Sequence, residues 1–120
     1  MGKKENALSD KSLMFAVRVV KFYQYLCEEK KEFVISKQLL RSGTSIGANI
    51  RESRNAQSDA DFLSKLNIAL KEADETQYWL ELLRLTEIIS VESFDSMNSD
   101  LKEIIAILVS VIKTLKNKLS

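Results

Sequence analysis

The chain has 120 residues, no proline, three glycines and one cysteine, with 18 basic side chains against 17 acidic ones. That length fits one domain with a single core, and the lack of the strongest helix breaker points to an all-helical bundle. Histidine is absent, which removes the usual general base at neutral pH, the Ser-His and Cys-His nucleophile systems and the commonest transition-metal ligand.

A net charge of +1 excludes a strong overall field for nucleic acid or anionic membrane, but the charge is unevenly spread. Residues 37–58 hold Lys37, Arg41, Arg51 and Arg54 against Glu52, a local +3. Residues 59–92 hold eight acids against Lys65, Lys71 and Arg84, a local −5. Either the two stretches pair as ordinary solvated surface, or the basic one faces a polyanion. Cys27 is alone, so no intrachain disulfide can form, and its apolar neighbours make it a small core side chain. No run reaches the ~18 apolar residues of a membrane span. Met1–Asn6 lacks the apolar stretch of a secretory signal, and the expectation is a cytoplasmic protein that touches no membrane.

Residues 1–8 are polar and charged, and read as a flexible arm ahead of a single bundle domain over 9–120. Ser9 or Asp10 is placed to cap a first helix running to about Lys31. Between Leu13 and Cys27 only Arg18, Lys21 and Gln24 are strongly polar, and they share one stripe. An outer helix of a monomeric bundle needs an apolar stripe only about 100° wide, so this helix is apolar on more than its inner face. After Phe33, Val34 and Ile35, Ser36 is expected to cap a second helix to about Ala56. Ser58 or Asp59 starts a third, with Asp59 and Asp61 suited to its positive end. Its core stripe is Phe62, Leu66, Ala69, Ala73, Thr76, Leu80 and Leu83, while Tyr78–Leu85 is apolar nearly all round. A turn is expected over Ser90–Ser99, rich in Ser, Asp and Asn. The last helix carries Leu101, Ile104, Ile105, Leu108, Val111, Ile112, Leu115 and Leu119, with Lys113, Lys116 and Lys118 near its negative end.

Short connections force antiparallel neighbours, giving an up-down-up-down four-helix bundle. The apolar surface beyond one inner seam marks an interface, so a homo-oligomer is preferred over a monomer with an enlarged core. Gly43 and Gly47 have the spacing of a close helix contact, and a packing role fits them better than a phosphate loop. Mid-helix Asn49 needs a partner: Glu72 or Glu75 on the third helix, or a backbone carbonyl. Glu72, Asp74 and Glu75 lie close together, but di-metal bundles need Glu-x-x-His pairs, so no metal and no cofactor are expected. Trp79 reads as core or interface rather than a base-stacking platform. Lys37, Arg41, Arg51 and Arg54 are the candidates for nucleic-acid contact, in two pairs about 15 Å apart along the helix.

Two stretches carry a resemblance. One is Ser36, Gln38, Leu39, Arg41, Ser42, Ser45, Ile46, Ala48, Asn49, Ile50 and Glu52; the other is Phe62, Leu66, Ile68, Ala69, Glu72, Glu75, Thr76, Trp79 and Leu80. Together they resemble the four-helix-bundle family of 23S rRNA intervening-sequence proteins, historically labelled ribosomal, which includes the accessory protein of diversity-generating retroelements. The chain departs from it at Ser53, where many members carry Gly. The resemblance implies a homopentameric barrel without cofactor or enzymatic activity, some of whose members bind RNA beside a reverse transcriptase. It also implies that Arg41, Asn49, Glu52, Glu72 and Glu75 make polar contacts between helices or subunits. The functional expectation is a non-catalytic homo-oligomer, five-membered by the resemblance, that binds RNA or DNA through basic patches. Its alternative is a scaffold that docks a protein partner and touches no nucleic acid.

Overall fold

A computed structural model describes residues 2–120, which form four helices: α1 Lys3–Glu28, α2 Ile35–Ser53, α3 Asp59–Leu85 and α4 Val91–Leu119. Helix α1 packs on α2 and α4, and α3 packs on the same two helices. This is the all-α, antiparallel up-down-up-down bundle that the apolar spacing predicts, drawn out to 47 × 21 × 20 Å. Among the described residues, no helix is long and apolar enough to cross a membrane.

The helix starts differ from the sequence expectation in three places, each for a local reason. Residues 3–8 form the opening turns of α1 rather than an arm, because Leu8 is buried in the core and Lys4 Nζ donates to Ser110 Oγ on α4 at 2.6 Å; Met1 lies outside the described residues. At α2, Ser36 is not the cap. The Glu32 carboxylate takes that role, accepting from the backbone N–H groups of Val34 (3.1 Å), Ile35 (3.0 Å) and Ser36 (2.7 Å). Burial pushes the Glu32 carboxyl up, but these donors outweigh it and hold the group below the usual carboxylate range. Ser36 is itself buried and donates to the Glu32 carbonyl at 2.8 Å.

The third difference is at α4. The turn falls over Thr86–Ser90, with Glu87 in the left-handed region at φ 62° and the Ile88 N–H returning to the Leu83 carbonyl at 3.0 Å. That is the wrap of a Schellman ending without its customary glycine. Ser90 then caps α4 by accepting from the Ser93 N–H at 3.0 Å. Residues 91–99 are therefore helical: Met97 and Asn98 are buried, and Asn98 Oδ1 accepts from Gln77 Nε2 at 3.0 Å. Ser58 caps α3 as expected, accepting from the Asp61 N–H.

The core is aliphatic, with Phe15 its one large fully buried ring. The predicted α3 stripe is buried from Leu66 to Leu83 and includes Thr76, whose hydroxyl bonds Ser42 Oγ at 2.9 Å inside the bundle. On α4, Leu101, Ile104, Leu108, Val111, Ile112 and Leu115 are buried, whereas Leu119 stays exposed. The inner face of α2 is unusually small, with Ser36, Ser42, Gly43 and Ser53 all buried. The reason is distance to α1. A Cβ on Gly43 would sit 2.8 and 2.9 Å from the two methyl carbons of Val19, and one on Gly47 would sit 3.3 Å from the Ser12 carbonyl oxygen.

Gly43→Ala gains roughly 1 kcal/mol of helix propensity but drives a methyl into the stiff, fully buried Val19, where overpacking costs about 1–3 kcal/mol. Chemical denaturation should show a net loss of about 1 kcal/mol for Gly43→Ala and a much smaller change for Gly47→Ala. Combining Gly43→Ala with Val19→Ala should cost less than the two single losses summed.

Candidate nucleic-acid interface

Helix α2 carries the four cations singled out in the sequence, and the fold does not keep them together. Lys37 lies in its first turn, Arg51 in its last turn and Arg54 just beyond, near opposite ends of the bundle. All three are exposed, and among the described residues none has an ion-pair partner. Arg41 instead leans onto α3. Its guanidinium pairs with Glu75 and, at 3.4 Å, with Glu72, while the Gln38 side-chain oxygen accepts from its Nε at 3.3 Å. The Glu75 oxygen that Arg41 meets also accepts from Trp79 Nε1 at 2.9 Å. Arg41 is thus a clasp between α2 and α3, and Trp79 is half-buried against that clasp rather than offered as a stacking platform.

Glu52 faces α3 too, 3.3 Å from Lys65 Nζ. Asn49 does not reach another helix. It is only half-buried, and its amide donates to the Ser45 carbonyl one turn back in α2 at 2.9 Å. Of the three acids close in sequence on α3, Glu72 and Glu75 serve Arg41 while Asp74 points to solvent. Among the described residues, no cluster of three or more His, Cys, Asp or Glu is arranged to hold a metal. Cys27 is half-buried, with Sγ 3.8 Å from Ser36 Oγ.

The fold adds cations that the reading of α2 alone missed. Antiparallel order returns the end of α4 and the start of α1 to the end of the bundle where α2 finishes. Lys118 meets Asp59 at 3.2 Å there, and Ser9, Ser12 and Arg51 line one shallow groove. Lys3, Lys113 and Lys116 arrive at the same end, exposed and, among the described residues, without ion pairs. The three lysines near the α4 terminus read in the sequence as dipole partners. Counting which helix ends a four-helix up-down order brings together places them at the same end as Arg51 and Arg54.

The model of the family described as 23S rRNA-intervening sequence protein matches residues 4–110. A solved structure from Bacteroides thetaiotaomicron, a protein of unknown function from the S23 ribosomal protein family, is 64% identical with a TM-score of 0.91, covering 92% of this chain and 98% of that one. No curated protein matches.

Trp79 is the single tryptophan and so reports on the α2–α3 clasp. Glu75→Leu removes the acceptor for its N–H and should cost about 1 kcal/mol with a shift in tryptophan emission. Glu75→Gln keeps an acceptor, should hold the emission, and should lose only the coupling to Arg41, which for a half-exposed pair is below about 1 kcal/mol in a double-mutant cycle.

Proposed function

The chain belongs to the 23S rRNA-intervening sequence protein family, and on that premise we propose that it is a non-catalytic homo-oligomeric bundle that binds RNA or DNA through basic surface patches. The observation that carries the nucleic-acid reading is the exposure of Lys37, Arg51 and Arg54 without intramolecular partners. A polyanion releases counterions when such side chains meet its phosphates, and copies in a ring multiply the effect.

The homo-oligomeric reading draws support from α1. Leu13 (51%), Met14 (60%), Val17 (38%) and Val20 (39%) are exposed on its outward side, where a monomer would carry polar residues. A second apolar patch is formed by Tyr78 and Leu85 on α3. A closed ring needs two different patches that meet head to tail, and the number five follows the family resemblance. The non-catalytic reading is supported by the absence of histidine and by the engagement of Glu72 and Glu75 as partners of an arginine.

The pairing of Arg41 with α3 favours the second reading, a scaffold that docks a protein partner, because it removes one of the four cations from use. Light scattering and binding to structured RNA and duplex DNA across a salt series separate the two. The nucleic-acid reading expects an assembly larger than 13.7 kDa that binds at ~50 mM salt and weakens steeply by ~200 mM. No affinity at ~50 mM salt, where non-specific phosphate contacts are strong, would leave the scaffold.

A further inference from the structure

The fold sorts charge along the bundle axis in a way that the near-zero net charge hides. Within the last two turns of each helix and the adjoining loop, the end where α2 and α4 finish holds eight basic and four acidic side chains, and the opposite end five and seven. Two helix N-termini and two C-termini meet at each end, so the macrodipoles cancel and side chains alone set the sign. The ends are separated along a 47 Å axis, several times the ~8–10 Å screening length. A polyanion near one end therefore feels that end and not the molecular average.

Ion pairing sharpens the contrast. At the basic end, Lys65 is matched to Glu52 and Lys118 to Asp59, which leaves Lys3, Lys4, Arg51, Arg54, Lys113 and Lys116 exposed without ion-pair partners among the described residues, Lys4 hydrogen-bonding Ser110. Lys37, by contrast, stands near the acidic end, beside Glu28 at the close of α1 and the loop that carries Glu29, Lys30, Lys31 and Glu32. We propose that the basic end of the bundle, and not the length of α2, is the surface that meets nucleic-acid phosphates, with Lys113 and Lys116 of α4 acting beside Arg51 and Arg54 of α2. The bundle is 21 × 20 Å across its long axis, which spans about six phosphates of one strand at ~3.4 Å of duplex axis each. Six cations without ion-pair partners lie at that end among the described residues, four lysines and two arginines, and exposed side chains of this kind meet the phosphates of any sequence. The expected preference is for charge density rather than sequence.

The inference rests on the nucleic-acid reading above, and the test keeps the two apart. A labelled RNA stem-loop is titrated with the full chain, with Lys113→Gln/Lys116→Gln, and with Lys30→Gln/Lys31→Gln at the opposite end. All four lysines are exposed and lack side-chain hydrogen bonds among the described residues, and circular dichroism checks that each variant keeps its helices. The α4 pair should weaken binding at least tenfold at ~100 mM salt and reduce the salt slope by nearly one for each lysine that engages a phosphate. The opposite pair should bind within twofold of the parent. Equal weakening by both pairs, or none by the α4 pair while the parent binds, would overturn the basic end and leave nucleic-acid binding standing. Failure of the parent chain itself to bind would overturn both.

Discussion

The close approach of α1 to α2 at Gly43 governs the rest of the structure. With no side chain at Gly43, both methyl groups of Val19 fit against the α2 backbone, and one turn on, Gly47 lets α2 pass the Ser12 carbonyl. Small residues on the inner face of α2 then bring α3 close as well, so that Ser42 and Thr76 bond each other in a core of aliphatic side chains. The Thr76 hydroxyl also reaches the Glu72 carbonyl one turn back at 2.7 Å, so it keeps a partner within its own helix. The tight α1–α2 contact therefore fixes the rotation of α1. That rotation turns Leu13, Val17 and Val20 away from the core.

Charge is organised by the same geometry. Once α2 lies against α3, Arg41 is within reach of Glu72 and Glu75 and is consumed as a clasp, with Trp79 sharing the carboxylate. Arg51 and Arg54 lie beyond the reach of those acids and join the lysines that α1 and α4 bring to their end. One helix thus supplies both an internal fastener and part of an outward basic surface, and the split depends on position along the axis. The two α3 carboxylates that come together do so around a guanidinium.

Helix number, order and core stripes were legible because apolar residues recur with helical spacing and proline never interrupts them. Ser58, with Asp59 and Asp61 behind it, marked the start of α3 by ordinary cap chemistry. The other boundaries were obscured by unusual solutions. Glu32 caps α2 from three residues before it, a role sequence patterns assign to Ser36, and Glu87 closes α3 in a conformation for which glycine is the usual signal. The Ser, Asp and Asn residues after Ser90 look like a loop, yet Asp95, Ser96 and Ser99 are simply the solvent side of a helix whose other side buries Met97 and Asn98. The candidate site was legible only in part. Residue type pointed to Arg41, Glu72 and Glu75 as polar contacts through family resemblance, but which cations remain free depends on where an arginine fork can reach, and that is a tertiary property. For Asn49, of the partners the sequence offered, the structure takes the backbone carbonyl, at the i−4 position of its own helix rather than a carboxylate of α3.

The proposed homo-oligomer would place its contact between copies on the exposed apolar face of α1 and so repeat the basic end around an assembly. Sedimentation velocity of the parent chain beside Val17→Glu tests it most directly, because Val17 lies in the middle of that face and outside the buried core. The account predicts an assembly for the parent and a species near 13.7 kDa with unchanged helix content for the variant. A parent that sediments as a single chain, or a variant that assembles as the parent does, would contradict it.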